Sequence, residues 1–488
     1  MVAVADDTPG DVWRMIVPSF YVVDPLSGSP NVRTAPPIHE YSQQPLPAPG
    51  VWVNMEKKMM NTANERPMEG EVSMSMRRAR IVHRFPHRLR EMGGPDGRYV
   101  VPSVVAIGPI HHGLPHLHEM EELKREAAAQ FCREMRRTVD EVYEKIYTVV
   151  ADARLCYDPP VVAHLSDAQF ATMMLQDGCL LLQIMTKSEE PPLLGHTISS
   201  WTSILKDIFL LENQIPRLVL RALMELMPES MRYRVCKFVR KRGLNLTYGR
   251  TDEINISISR GYSKKYSKSE LPHLLSLLRF DVIHNMPSRK SGSKDKSRPT
   301  PSALSISAVD LRQKGVRLAI SKAGWFADMS VQKKLLFGEL SLSPLLLDDM
   351  RACWFVNLAA LEAAECSAAS TWGSHVFVVS SYLSMLAMLM DREEDVQELR
   401  RSGVLWSSFS DEETLAFFKC IRRQHLLGDY YYNTLADIQD LMDQRPVRIA
   451  VHKFLYNNSY TLKVALAVLS AIGVLVGIFR AFYPAKQS

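Results

Sequence analysis

The sequence predicts a mainly α-helical protein with a minor β component (α+β): a large helical body followed by one C-terminal transmembrane helix. Three observations carry that reading. Apolar residues recur at steps of three and four over long stretches, two Ser-x-x-Glu/Gln capping boxes open such stretches, and sixteen consecutive residues near the C-terminus, 464–479, carry no charge.

Taken in chain order, residues 1–75 form a proline-rich segment. Ten of the 28 prolines fall before position 70, and that spacing forbids a continuous helix or a central strand, so the segment is expected to be largely disordered. Trp13, Ile16, Phe20 and Tyr21 make either a short docking element or a few apolar residues in a loose tail. Neither a basic leader nor an apolar run before a small-residue cleavage site is visible, so no signal peptide is expected.

The body is expected over 76–460. Met120, Leu123, Ala127, Phe131, Met135, Val139, Val142, Ile146 and Val149 predict one long amphipathic helix, with Pro115 just ahead of it. Ser166 and Gln169 open a helix running to about Met185. A further helix is predicted over Trp201–Glu212, and another from Pro216, placed in its first turn. Val309–Lys314 closes on Gly315 and Glu393–Arg401 on Gly403, both glycine-capped ends. Ser410 and Glu413 cap a helix through Phe418. Strand-like pieces are few: Val316–Ile320, Leu335–Leu342 and Val376–Val379. Residues 260–299 hold ten Lys or Arg against Glu270, Asp281 and Asp295. Within them a flexible basic loop is expected at about 285–302, either simply solvated or lying on anionic lipid headgroups.

From Val464 to Phe479 a helix would cover roughly 24 Å, short of the ~30 Å hydrocarbon core. Lys463 and Arg480 can snorkel, and Tyr460, Phe482 and Tyr483 can sit at the interfaces, so a span over 461–482 is expected, with 483–488 as a short tail. A buried core helix is the other reading of so short a run. The span implies a single-pass anchor in the plasma membrane or an endomembrane with the bulk cytosolic. Arg445, Arg448, Lys453 and Lys463 before it, against Arg480 and Lys486 after, agree. The sequons at Asn245, Asn255 and Asn457 would then be chance matches.

Composition narrows the function. A net charge of only +6 on 488 residues argues against a dedicated nucleic-acid binder. Seven scattered cysteines without a C-x-x-C exclude a disulfide scaffold and a zinc ribbon. There is no G-x-S-x-G elbow, phosphate-binding loop, G-x-G-x-x-G or H-E-x-x-H, and no cofactor is expected. The one dense constellation is histidine: His83, His87, His111, His112, His116 and His118, followed by Glu119, Glu121 and Glu122. His111, His112 and Glu121 are the candidate ligands of a zinc or iron site, although a hydrogen-bonded structural turn explains them equally. Asp177-Gly178-Cys179 and Glu212-Asn213-Gln214 interrupt apolar runs and are expected to make internal hydrogen bonds. The enzymatic alternative is a metal-dependent or thiol hydrolase using His111, His112, Glu121, Asp177 and Cys179.

These segments carry a resemblance. Ile-Gly-Pro-Ile-His-His-Gly (107–113), Leu-His-Glu-Met-Glu-Glu-Leu-Lys (117–124), Leu-Gln-Asp-Gly-Cys (175–179) and Leu-Leu-Glu-Asn-Gln-Ile-Pro (210–216) resemble the plant domain-of-unknown-function 247 family (UPF0481-like). So do His-Leu-Leu-Ser-Leu-Leu (273–278), Ala-Val-Asp-Leu-Arg-Gln-Lys-Gly-Val (308–316) and Glu-Asp-Val-Gln-Glu-Leu-Arg (394–400). The likeness covers about 78–483, departs at Ile110, where the family tends to an aromatic, and is loose over Asn357–Glu362. It implies a structural motif set of Gly108, Pro109, His111, His112, Gly113, Met120, Glu121, Asp177, Gly178, Cys179, Leu211, Glu212, Asn213, Gln214 and Pro216. It also implies a C-terminal membrane helix bounded by Val464 and Phe479 and no established enzymatic activity. Some grass members are linked to pollen–stigma self-incompatibility. The function expected is therefore a non-enzymatic, membrane-anchored protein that binds another protein in recognition or signalling.

Overall fold

The computed structural model describes residues 82–187, 201–244, 246, 271–283, 306–368 except 324 and 336, and 377–482 except 425, 445–448, 452–453 and 455–456. The proline-rich segment 1–75, the basic loop at 285–302, most of 260–299 and the sequons at 245 and 255 lie outside the described residues.

Helices dominate, as expected. After short 3-10 turns come α1 (Glu119–Met135), α2 (Val139–Tyr147), α3 (Val150–Arg154), α4 (Pro159–Val162) and α5 (Asp167–Thr186). The next are α6 (Trp201–Asp207), α7 (Arg217–Met224), α8 (Glu229–Leu244), α9 (Leu274–Ile283) and α10 (Ala308–Gln313). Four strands follow, β1 (Val316–Ile320), β2 (Met329–Lys333), β3 (Gly338–Leu342) and β4 (Leu345–Leu347). The chain continues through α11 (Asp349–Ala368), α12 (Val378–Leu389), α13 (Glu393–Arg401), β5 (Leu405–Ser407), α14 (Asp411–Arg423), α15 (Asp429–Asp443) and α16 (Ser459–Phe482).

Nearly every helix contributes to one apolar core, and three of them run through its middle. Residues 352–363 of α11, all of α12 and 173–185 of α5 are buried on every face, which is what helices without a polar stripe require. α5 packs between α1 and α8, and α12 between α11, α14 and α15. Trp354 of α11 meets Phe209 edge to face at 5.1 Å, an arrangement worth ~1 kcal/mol beyond the area it buries. The sheet is small: β3 is central, parallel to β1 (Leu318 opposite Leu340) and antiparallel to β2 (Val331 opposite Leu340). β4 and β5 pair in parallel, Leu345 opposite Leu405.

Local signals placed many ends correctly. Ser166–Gln169 and Ser410–Glu413 are reciprocal capping boxes, and Gly315 and Gly403 take positive φ just past α10 and α13. Four expectations need correction. The long helix over 120–149 is two: Arg136 is left-handed at φ 52°, and a Thr138–Glu141 capping box starts α2. Residues 208–212 leave the helix begun at Trp201. Pro216 stands at the cap before α7 rather than in its first turn. Of the strand expected at Val376–Val379, Val376 lies outside the described residues and Val378 and Val379 start α12, because the Glu362 carboxylate accepts the N–H groups of Val378, Val379 and Ser380 at 2.9–3.1 Å. A buried acid at a helix N-terminus overrides the β-branched preference of two valines.

The helix expected over 464–479 forms as α16. Among the described residues, however, no helix is long and apolar enough to cross a membrane. The uninterrupted apolar run with described side chains, Val464–Phe479, is roughly 24 Å.

Candidate functional site

The motif residues meet in one place, and they meet mostly as hydrogen-bond partners of backbone. The segment 208–216 cannot continue α6 because amide side chains take its carbonyls. The two hydrogens of Gln214 Nε2 are shared among the carbonyls of Ile208, Leu210 and Asn213, all 2.8–2.9 Å away, and Asn213 Nδ2 donates to that of Asp207 at 3.0 Å. Buried carbonyls must be paired, and here side chains do what a helix would have done.

The same segment holds its neighbours. Asn213 Oδ1 accepts the Ile107 N–H at 2.6 Å and its amide donates to the Val105 carbonyl at 2.9 Å. Glu212 Oε1 accepts the Phe85 N–H at 2.8 Å, and Gln214 Oε1 accepts the Leu275 N–H at 3.1 Å. The Leu211 N–H donates to Asn357 Oδ1 at 2.8 Å. Asp207 gathers the amides of Ser103, Val104 and Val105 at 2.7–3.0 Å.

The turn 107–113 lies against this segment. Gly108, at φ 77°, donates its N–H to Asp177 Oδ2 at 2.7 Å. A Cβ on Gly108 would sit 2.6 Å from the Gln214 carbonyl oxygen, so only glycine allows the approach. Pro109 is buried beside it. Asp177 Oδ1 stands 2.8 Å from Lys124 Nζ, and the ammonium also reaches Glu121 Oε1 at 2.6 Å. Lys124 is 1% exposed. Burial opposes its charge, but Asp177 and Glu121 outweigh it and raise the ammonium pKa. Gly178 lets α5 approach α7, since a Cβ there would lie 2.6 Å from Leu223 Cδ1. Met120 and Cys179 are core residues, and burial drives the Cys179 thiol well above its ordinary range. A fully buried neutral thiol reaches no substrate.

The histidines diverge. His111 Nε2 lies 3.5 Å from Glu212 Oε2 without a hydrogen bond between them. His112 Nδ1 is 3.9 Å from Glu121 Oε2, and His116 Nε2 pairs with the Pro102 carbonyl at 3.0 Å. The structure therefore does not bring His111, His112 and Glu121 onto one point. Among the described residues, no three His, Cys, Asp or Glu side chains are grouped to hold a metal ion.

Burial, with the Arg84 guanidinium and the His116 ring nearby, pulls His111 down to about 4. Between pH 6.5 and 4 the unfolded chain therefore takes up a proton that the folded chain refuses, so stability falls as pH falls. A His111→Asn variant should lose that dependence. Denaturant titrations from pH 7 to 4 should show the parent losing roughly 3 kcal/mol relative to the variant. A constant difference would remove the assignment.

Glu121 has a second environment. With His112, Gly113, His118, Arg125, Met173 and Gln176 it lines a cleft of about 380 Å³ between α1, α5 and the turn after His111.

Sequence reasoning missed Lys124, Asp207, Glu362 and Gln176. Lys124 had a signal, because it falls on the buried stripe with Met120, Ala127 and Phe131. Asp207 and Glu362 had none, their partners being backbone amides far away or on another helix. Of the loosely matching Asn357–Glu362 stretch, both polar ends prove fully buried.

Comparison with known proteins agrees with these motifs. Residues 82–473 match the family DUF247, described as plant protein of unknown function. The Arabidopsis thaliana UPF0481 protein At3g47200 is 26% identical over 350 residues, 66% of this chain and 68% of the relative. A second Arabidopsis UPF0481 protein, At3g02645, is 28% identical over 187 residues, 37% of this chain and 32% of the relative. No solved structure matches.

Proposed function

The chain belongs to the DUF247 family of plant proteins, whose function is unknown, and from that premise we propose a non-enzymatic interaction protein held at a membrane by α16. One observation carries the membrane part: the large apolar residues of α16 with described side chains are exposed, from Val464 at 45% to Leu466 at 71% and Phe479 at 65%. A row of that size in water is unfavourable by ~25 cal/mol per Å² and marks a lipid or protein contact. The apolar run alone is roughly 24 Å, so attachment through α16 relies on Lys463 and Arg480 snorkelling at its two ends. The basic residues before it, Arg445, Arg448, Lys453 and Lys463, favour a cytosolic body. The basic segment 260–299 would add attraction to anionic headgroups.

The interaction part is supported by what the motif residues are occupied with. Asp177, Glu212, Asn213 and Gln214 are engaged with backbone and Lys124, an arrangement that shapes a rigid body and leaves no reactive group among them. Recognition of another protein, as in self-incompatibility, is the role such a body suits.

Fractionation with protease protection tests the reading. The full chain should remain with membranes after alkaline extraction, its body digested from the cytosolic side, while a chain ending at Tyr460 should be released. Full-length chain recovered in the soluble fraction overturns it.

A further inference from the structure

The turn joining β2 to β3 holds an apolar side chain out of the fold. Leu335 is 78% exposed, more than any other large apolar residue described, and Lys333 and Lys334 precede it. The Lys334 N–H donates to the Phe337 carbonyl at 3.1 Å, which puts Leu335 at the apex. Arg317 of β1 lies over the Phe337 ring at 4.3 Å, at the end of the sheet where Val316 pairs with Gly338 and Gly338 with Lys333. Glu339 offsets Lys334 at 3.5 Å. One exposed leucine is ordinary on a protein surface. Its position relative to α16 is what sets this one apart.

The turn sits beside the root of α16. Lys333 Nζ donates to Gln444 Oε1 at the end of α15, and a Cβ on Gly338 would lie 2.4 Å from Leu441 Cδ2. The hairpin is therefore packed against the last turn of α15. Residues 445–458 join that turn to α16, a reach of roughly 20 Å if helical and about 50 Å fully extended. The connection exposes Val451 at 50% and Phe454 at 62%. From Arg445 onward the sequence carries Lys and Arg but no Asp or Glu. A bilayer that receives α16 thus lies within reach of the turn, and the charge around it is the sign that anionic headgroups attract. We infer that the β2–β3 turn is a second membrane contact. Leu335 enters the headgroup boundary of an anionic bilayer, and the ammonium groups of Lys333 and Lys334 face its phosphates. The inference rests on attachment through α16, and its test reads the two separately.

Amide hydrogen exchange on the full chain compares neutral-detergent micelles with vesicles of phosphatidylcholine and about one-third phosphatidylserine. The amides of Leu335 and Phe337 should exchange about tenfold more slowly in the vesicles, because burying one leucine shifts a docking equilibrium by at least that factor. The protection should shrink in about 0.5 M salt and vanish in Leu335→Ser, whose exposed position leaves folding intact, while the amides of α16 stay protected. Exchange at Leu335 and Phe337 unchanged between micelles and vesicles overturns the contact, and the amides of α16 show whether the anchor has failed with it. Protection that survives Leu335→Ser also overturns it. So does protection already present in micelles that grows with protein concentration, which would assign the turn to a second copy of the chain.

Discussion

Replacing Asp177 by alanine should destabilise the chain by about 3 kcal/mol, the lower end for removing one partner of a buried ion pair. The loss has two parts. Lys124, 1% exposed, loses the carboxylate 2.8 Å away and keeps only Glu121. Gly108 loses the acceptor of its N–H and is left with an unpaired buried donor. Denaturant unfolding followed by tryptophan fluorescence reads the change. The double variant Lys124→Met, Asp177→Leu should recover most of it, because an apolar pair of similar volume removes the stranded ammonium. In the single variant Lys124→Met, Asp177 faces burial without its counter-ion. Burial already holds the Asp177 pKa above its ordinary value beside Lys124, and without the ammonium it rises further, so the fall in stability as pH rises from about 4 towards neutrality should deepen. A change below about 1 kcal/mol in Asp177→Ala would mean that the pair holds nothing together.

Gly108→Ala should be comparably severe, costing about 3 kcal/mol or more. A left-handed backbone alone costs an alanine about 1–2 kcal/mol. The rest comes from the new methyl group, which would lie 2.6 Å from the Gln214 carbonyl oxygen and 3.0 Å from Tyr157 Oη. Those two atoms are themselves hydrogen bonded at 2.9 Å, so relieving the clash means breaking that bond or shifting the buried 208–216 segment. Gly113→Ala is the internal control. Its φ is 82°, but nothing lies within 4 Å of the added Cβ, so only the backbone term of about 1–2 kcal/mol should appear. Equal losses at the two glycines would show that the close approach at Gly108 carries no weight.

The two glycines also show where sequence reading stops. Both belong to the Gly-Pro-x-His-His-Gly block, and a block of that kind predicts a turn with positive φ. Nothing in it says that one glycine lies against a carbonyl 106 residues further on and the other against solvent. The histidines between them invite a metal reading for the same reason: adjacent residues share a sequence neighbourhood while their side chains face different carboxylates, Glu212 and Glu121. The Asp177 and Glu212–Gln214 interruptions were legible as buried polar groups in need of partners. Which partners they take was not.

What the sequence by itself determined are the features set by contacts within about four residues: the predominance of helix, the starts of α5 and α14 at their capping boxes, the ends of α10 and α13 at glycine, and the apolar α16. The missed break at Arg136 belongs here too, since the Thr138–Glu141 box that restarts the chain is local. Tertiary structure alone decided the start of α12 and the closure of the 107–113 turn. Each depends on one polar side chain meeting buried backbone, and for the turn that side chain comes from 69 residues away, as Asn357 meets the Tyr99 carbonyl across 258. A buried N–H must have an acceptor, but which acceptor reaches it is settled only when the helices have packed.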